Sequence, residues 1–143
     1  MPTFRFLPST PTPGCLPLTA TRALDAFPIG NVPLSEHQRC ALAGAWPKGE
    51  IIDVYPHAWL EPADVAAFMA ESTASALVDA QGAELMLRSG ATGPVCRAQG
   101  SFLLRFAWNL LVANERALKL RTDWQNLGDC HASLYVDGRL SVG

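Results

Sequence analysis

Thr21 and Arg22 are the residues of this 143-residue chain whose types and spacing best suit phosphate chemistry. A hydroxyl beside a guanidinium, in a stretch rich in turn-forming residues, could contact a phosphate or a nucleotide. Arg22 could equally pair with Asp25 or Glu36 and brace the turn. Both interpretations of Arg22 stay open at the level of sequence.

Gly30 and Asn31 form the second candidate pair, a short distance along the chain. Glycine and asparagine favour tight turns, so the pair predicts a turn before a helix that starts at Pro33, with the Asn31 side chain hydrogen-bonding locally. The alternative is a direct ligand contact. We therefore assign Thr21, Arg22, Gly30 and Asn31 as candidate nucleotide- or sugar-binding residues, and we assign no catalytic or metal-binding residue.

Three further polar residues could do chemistry. Asp53 ends an apolar strand, where parallel-sheet proteins often place functional groups, and its carboxylate could bind Mg²⁺. His37 could be a ligand or a proton carrier, but a partly exposed helical histidine is the simpler interpretation. Asp79 is expected to be a surface or turn carboxylate.

Nucleophilic catalysis has no visible motif in the sequence. Ser35, Ser72 and Ser75 lack the G-x-S-x-G turn that presents an activated serine. The four cysteines show no C-x-x-C spacing, so we expect buried or incidental thiols rather than a zinc site. Of the tryptophans, which could otherwise stack on a base, Trp108 is expected to anchor the core.

Composition limits the class of protein. A chain of this length with 49% hydrophobic residues can form one folded domain with its own core. A net charge of −2 offers no basic surface for nucleic acid. No apolar run approaches the roughly 18 residues that cross a bilayer, and the N-terminus has no signal-peptide pattern. We expect a cytoplasmic protein without nucleic-acid or membrane partners.

The elements that must position the candidate residues follow from hydrophobic periodicity. The predicted strands are Thr3–Leu7, Glu50–Tyr55, Ala76–Asp79 and Glu84–Arg88, the last two joined as a hairpin. The predicted helices start at Pro33 and Pro62 and span Phe106–Leu120, and Ser89–Gly100 is predicted to be a loop. This pattern predicts an α/β fold with a small, mostly parallel sheet of about four or five strands flanked by helices.

The hydrophobic residues of the C-terminal segment have a different spacing. Val136 and Val142 are six residues apart, and Leu134 and Leu140 repeat that interval. This spacing resembles a hexapeptide coil of a left-handed parallel β-helix, of which about three stacked repeats are needed to bury the hydrophobic face. The chain is therefore expected to be a fragment of a longer protein or to end in a strand that docks elsewhere.

Three motifs in order carry a family resemblance. Leu16–Arg22 and Phe27–Gln38 resemble the PLT-x-TR-PK and P-[VI]-x-N-x-PL-[IL]-EHQ segments that open the sugar-phosphate nucleotidyltransferases. Trp108–Asn114 resembles the family's WDLL-x-x-N segment, with Asn109 in place of the aspartate. The chain is most similar to the shortened, Rossmann-like N-terminal domain of bacterial proteins that also carry a β-helix acyltransferase-like domain.

The resemblance places a Gly-rich phosphate loop at Thr10–Gly14, where this chain departs from the family. Gly14 stands in place of the family's arginine and Leu24 in place of its lysine. Two prolines in the loop lack the N–H groups that would close around phosphates. The segment Pro56–Trp59 stands where the family has its metal-binding aspartate. The resemblance thus implies a nucleotidyltransferase-like domain at 1–127 that has lost catalytic groups, followed at 128–143 by the start of a β-helix coil or a docking tail.

Three functions are compatible with this resemblance. The first is a degenerate nucleotidyltransferase-like domain with a binding, regulatory or assembly role in sugar-nucleotide or cell-envelope metabolism, with a nucleotide or sugar nucleotide as ligand and no cofactor. The second is an active Mg²⁺-dependent sugar-1-phosphate nucleotidyltransferase with a rebuilt loop. The third is an oligomerisation module of an acyltransferase-like protein that forms a homo-oligomer through its C-terminal segment. Whether the chain is an enzyme stays open.

Overall fold

The structure is a computed structural model that describes residues 3–45 and 49–120; the segment 128–143 lies outside the described residues. Nine strands and three α-helices are found in these ranges. The strands are β1 (Thr3–Phe6), β2 (Pro28–Ile29), β3 (Val32–Pro33), β4 (Ile51–Val54), β5 (Ala58–Trp59), β6 (Ala76–Val78), β7 (Glu84–Arg88), β8 (Val95–Arg97) and β9 (Phe102–Leu103). The helices are α1 (Leu34–Leu42), α2 (Pro62–Ala70) and α3 (Ala107–Lys119).

The main sheet has five strands in the order β1-β4-β7-β6-β8. The β1–β4 and β6–β8 pairs are parallel, whereas β4–β7 and β6–β7 are antiparallel. The α/β class is confirmed, but the sheet is mixed rather than mostly parallel. The reason is the hairpin: β7 turns back beside β6 and inserts next to β4, so both of its pairings are antiparallel.

Most predicted elements are confirmed close to their expected positions, including both strands of the parallel pair, the hairpin and all three helices. The predicted loop over Ser89–Gly100 is wrong in part, because β8 lies within it. This strand is short, lies at the edge of the sheet and exposes Val95. An edge strand of this kind carries little apolar alternation, which explains why periodicity missed it.

The hydrophobic core has two parts. The sheet core is formed by β4, β6, β7, α1 and α2, and its largest buried side chains are Ile52, Phe68, Leu77, Leu85 and Met86. The loop core joins α3 to the segment around residues 15–34 and consists of Cys15, Leu24, Ile29, Leu34, Trp59, Leu104, Leu110, Ala113 and Ala117. The segment that carries the candidate phosphate-binding residues is therefore held largely by α3.

Helix α3 packs through small residues. Leu110, Ala113 and Ala117 are its buried positions. Trp108 points the other way and is 59% exposed, so the expectation that it anchors the core is wrong. Alanines permit close approach of the helix to its neighbours, and Trp108, which was expected to pack inward, lies on the outer side. No helix in the described ranges is long and apolar enough to span a membrane.

Candidate functional site

Gly30 and Asn31 form the turn between β2 and β3, with φ angles of 55° and 63°. The Gly30 N–H donates to Asn114 Oδ1 at 2.8 Å, which ties the turn to α3. His37 Nε2 lies 2.8 Å from the Ile29 carbonyl oxygen and must be the donor, because a carbonyl can only accept. The predicted turn is confirmed, and His37 is a partly buried helical histidine that holds it. A ligand contact by Gly30 or Asn31 stays a prediction.

Thr21 and Arg22 are both exposed. Within residues 3–45 and 49–120, Arg22 forms no ion pair with Asp25 or Glu36, and Glu36 pairs with Arg39 instead. The proposed bracing of the turn by Arg22 is therefore wrong for this structure. Its guanidinium is accessible to solvent, and contact with a phosphate stays a prediction.

Gly14 is pressed against the backbone that leads into α3. A Cβ atom at this position would lie 2.2 Å from the Arg105 carbonyl oxygen and 2.8 Å from Phe106 Cδ1. Both distances are shorter than van der Waals contact, so a side chain cannot stand at position 14 without movement of the backbone. The space into which a loop arginine would project is thus occupied by the start of α3.

Asp53 is paired with Arg5 across the parallel β1–β4 pair. Arg5 Nε and Nη2 donate to the two carboxylate oxygens at 2.5 and 2.7 Å. Both oxygens of Asp53 are therefore engaged in holding β1 against β4. Among the described residues, no group of three or more His, Cys, Asp or Glu side chains is arranged to hold a metal ion. The geometry lends no support to a Mg²⁺ site at Asp53.

Asp64, in the first turn of α2, is a buried carboxylate with its acceptor sites filled. It accepts hydrogen bonds from the backbone N–H groups of Gln99, Gly100 and Ser101 and from the Ser101 hydroxyl, at 2.6 to 2.9 Å. Burial acts to raise the pKa of Asp64, but these hydrogen bonds together favour the charged form more strongly and hold the pKa below its usual value. Asp64 thus fixes the chain that leads into β9.

Asp79 is 1% exposed, so the expectation of a surface carboxylate is wrong, although the residue does belong to the hairpin turn. Its Oδ1 accepts the N–H groups of Gln81 and Ala83 at 2.9 Å. Its Oδ2 accepts the Leu103 N–H at 3.3 Å and lies 3.5 Å from Arg105 Nη2. Asp79 therefore closes the hairpin and joins it to β9.

A hydroxyl–imidazole pair lies at the carboxyl ends of β1 and β4. Because these strands are parallel, the segments that follow them leave the sheet at the same edge. Ser9 follows β1, His57 follows β4, and Ser9 Oγ lies 3.0 Å from His57 Nε2 across 48 residues of sequence. His57 is 7% exposed. Its carbonyl oxygen accepts the Leu104 N–H at 2.8 Å, which fixes the main chain at this point.

Asp25 adds a carboxylate near this pair. Burial lowers the pKa of His57 below its usual value of 6.5, and the negative charge of Asp25 acts in the opposite direction. The imidazole is therefore neutral at pH 7, and Nε2 can accept the Ser9 proton when Nδ1 carries the ring proton. Asp25 Oδ1 is buried and, within the described ranges, has no hydrogen-bond partner. We refer to Ser9, His57 and Asp25 as the Ser9 cluster.

The sequence held a signal for part of this cluster. Ser9 and His57 each follow a predicted strand, and parallel pairing of those strands was itself expected. A search limited to G-x-S-x-G turns missed the pair, because that motif describes only one way of presenting a serine to a base. Asp25 reaches the cluster through a 3-10 turn at Leu24–Ala26, for which the sequence offered no signal.

The cysteines in the described residues are free thiols. Cys15 is buried, Cys96 is partly buried and Cys40 is exposed. Burial raises the pKa of both Cys15 and Cys96, so neither is a thiolate at pH 7. For these three residues, the expectation of buried or incidental thiols is confirmed.

Exposed apolar side chains lie along the outer side of α3 and at its two ends. Phe106, Trp108, Leu111, Val112 and Leu120 are 40 to 73% exposed, and we refer to them as the α3 apolar face. The Phe106 and Trp108 rings stack with their centroids 4.3 Å apart. Positions three and four apart share one side of a helix, so Trp108, Leu111 and Val112 form a patch. Exposed patches of this kind mark interaction surfaces.

No protein-family model, curated protein or solved structure matches this chain. The resemblance to the nucleotidyltransferases therefore rests on the sequence motifs alone.

Proposed function

We propose that this chain is a nucleotidyltransferase-like domain that has lost nucleotidyl transfer and acts in assembly or ligand sensing in sugar-nucleotide or cell-envelope metabolism. The observation that carries the proposal is the contact at Gly14. Transfer of a nucleotidyl group needs cationic groups around the phosphates, and the position of the loop arginine has no room for a side chain. The pathway and the cytoplasmic location rest on the resemblance.

The other positions of the expected phosphate site support the same proposal. Leu24, which replaces the family's lysine, is 1% exposed and belongs to the loop core. Asp53 is engaged by Arg5, and the position of the family's metal-binding aspartate leads to His57 instead. Within Leu16–Arg22 and Phe27–Gln38, all of which the structure describes, Arg22 is the one arginine or lysine, and one arginine is too few for a triphosphate and a sugar phosphate.

Assembly is the role that the α3 apolar face favours. The face lies on the last described helix, and the segment 128–143 that resembles a hexapeptide coil follows later in the chain. We propose that a Rossmann-like domain formed by residues 1–127 is attached to a β-helix that starts at 128–143, and that the chain forms homo-oligomers through these C-terminal elements. Burial of exposed tryptophan and leucine side chains provides the driving force for such contacts.

A ligand panel tests the loss of catalysis. The full chain is heated with nucleoside triphosphates and sugar nucleotides, with and without Mg²⁺, and pyrophosphate release is measured with sugar 1-phosphates. We expect no pyrophosphate and no Mg²⁺-dependent stabilisation, although a bound ligand at 100 times its Kd would add about 2.7 kcal/mol. Pyrophosphate release would overturn the proposal in favour of an active Mg²⁺-dependent enzyme.

Ligand sensing is separated from assembly by the same panel. Stabilisation by a sugar nucleotide alone would identify a sensor, and Arg22→Ala would then abolish the shift if the candidate residues bind the phosphate. Arg97→Ala, which removes an exposed arginine of β8, is the matched control. A shift that survives Arg22→Ala would contradict the assignment of Thr21 and Arg22 as binding residues.

A charge placed on the α3 apolar face tests assembly. Leu111 is 73% exposed, so Leu111→Lys should leave the fold intact and lower the association state measured by sedimentation velocity. Ala66→Lys, at an exposed position of α2, is the control and should leave the association state unchanged. A wild-type chain that is monomeric at all concentrations would contradict assembly through its own copies.

A further inference from the structure

We propose that Ser9 is a nucleophile, activated by His57 as general base, that accepts an acyl group from an activated carboxylic ester. This inference goes beyond the proposed function and does not depend on it. It is carried by the juxtaposition of Ser9 and His57 at the edge of the sheet where β1 and β4 end.

The distance between the Ser9 hydroxyl and the His57 ring suits proton transfer. Ser9 Oγ and His57 Nε2 are 3.0 Å apart, within the range over which a base removes the proton of a hydroxyl. The His57 side chain is buried, and the hydrogen bond from the Leu104 N–H to the His57 backbone carbonyl oxygen fixes the main chain from which it projects. Ser9 itself is only partly buried.

The protonation state of His57 also suits a general base. A base must be unprotonated before it can act, and burial among apolar groups disfavours the charged imidazolium in the resting protein. Proton transfer from Ser9 creates that imidazolium transiently. The negative charge of Asp25 favours the charged ring, which reduces the free-energy cost of the transfer.

Asp25 differs from the buried carboxylates Asp64 and Asp79. Asp64 and Asp79 have their oxygens filled by backbone N–H groups and have nothing left to offer a reacting group. Asp25 keeps one buried oxygen without a partner in the described ranges. A buried acceptor without a partner destabilises the fold, and a cationic imidazole ring nearby offsets that cost. Asp25 acts through His57 and is a positioning residue.

Ester cleavage requires only Ser9, His57, the ester and water. Ser9 Oγ attacks the ester carbonyl carbon and forms a C–O bond as its proton moves to His57 Nε2. The tetrahedral intermediate then collapses, and the alcohol leaves with the electron pair of its C–O bond and takes the proton from His57. Ser9 is left as an ester, and water activated by His57 in the same way releases the carboxylic acid and restores the hydroxyl.

The test uses an alkyl fluorophosphonate, which reacts with activated serines: the Ser9 oxygen forms a P–O bond, fluoride leaves with the P–F electron pair, and the proton passes to His57. We expect labelling of the full chain at Ser9, located by peptide mass mapping, and complete loss of that label in Ser9→Ala. His57→Gln should slow labelling about 100-fold. Ser72→Ala, at an exposed position, is the control and should leave the rate unchanged.

A pH profile distinguishes a general base from a merely structural histidine. The labelling rate should rise as His57 loses its proton, with a midpoint below 6.5, and Asp25→Asn should move the midpoint to lower pH because a charge that favours the imidazolium is gone. Each variant is checked for a wild-type melting temperature. An unlabelled wild-type chain, a label at another residue, or a pH-independent rate would overturn the proposal.

Discussion

Two regions of the molecule differ in how many hydrogen bonds their buried carboxylate oxygens accept. One is the region around α2, and the other lies at the carboxyl ends of β1 and β4. Near α2, Asp64 is surrounded by three backbone N–H groups and a hydroxyl, and every approach to it is occupied. At the strand ends, Asp25 has a buried oxygen that no described residue satisfies. The comparison shows that burial alone does not mark a functional carboxylate. The number of donors already around it decides whether it holds the chain or remains available.

The second region is nevertheless tightly packed elsewhere. Gly14 touches the backbone of Arg105, and the turn at Gly30 is tied to Asn114. The open acceptor on Asp25 is therefore not the result of a loose loop. Gly14 has no room for a side chain, whereas Asp25 Oδ1 has no hydrogen-bond partner among the described residues.

Gly14→Ala should have the largest effect of the changes that test this comparison. Because the added Cβ would meet the Arg105 carbonyl oxygen, we expect the free energy of unfolding to fall by about 3 kcal/mol in urea titrations. Gly44→Ala is the control: a Cβ there would meet nothing within 4 Å, and stability should change by less than about 1 kcal/mol. If Gly14→Ala were as stable as the wild type, the loop would have room for a side chain.

Asp64→Asn should come next. The amide would turn N–H groups toward the N–H donors of residues 99–101, so we expect a loss of about 2 kcal/mol in the free energy of unfolding. Asp25→Asn is the matched change in the other region and should alter stability by less than about 0.5 kcal/mol, because it breaks no hydrogen bond at the buried oxygen. Equal losses in the two variants would remove the distinction between the carboxylates.

The pH dependence of stability should differ between the regions and have the smallest amplitude. The pKa of His57 is lowered on folding, so the unfolded chain binds more protons and stability falls as the pH drops below about 6.5, down to the folded pKa. The pKa of Asp64 is also lowered, and its contribution is present above its usual value of 3.8 and is lost as the pH falls through the folded pKa. Urea titrations from pH 8 to 3 should show both windows, and His57→Gln should remove only the upper one.

Much of the fold could be predicted because its signals are local. Alternation identified β1 and β4, the Gly-containing turn identified the β6–β7 hairpin, and prolines marked the starts of two helices. Strand β8 was not predicted, because it forms through pairing with β6 and its own residues show no hydrophobic alternation. The position of β7 between β6 and β4, and hence the mixed sheet, has the same origin.

Parts of the candidate site could also be predicted from local sequence, and other parts could not. The turn at Gly30–Asn31 could be predicted, because few residue types accept positive φ angles at both positions. The pairing of Ser9 with His57 could not, because 48 residues separate them and only the parallel register of β1 and β4 brings them together. Trp108 shows the converse error, since a bulky apolar residue on a helix was expected to be buried and lies in solvent.

The sequence by itself determined the α/β class, the hairpin, the Gly30–Asn31 turn and the absence of an arginine at position 14. Each of these depends on backbone preferences or residue identities that act within a few neighbouring residues. Tertiary structure alone decided that Gly14 has no space beside it, that Asp64 is saturated with donors and that Ser9 meets a buried imidazole. Those properties depend on which groups, distant in sequence, surround a given atom. A local sequence pattern does not specify those groups.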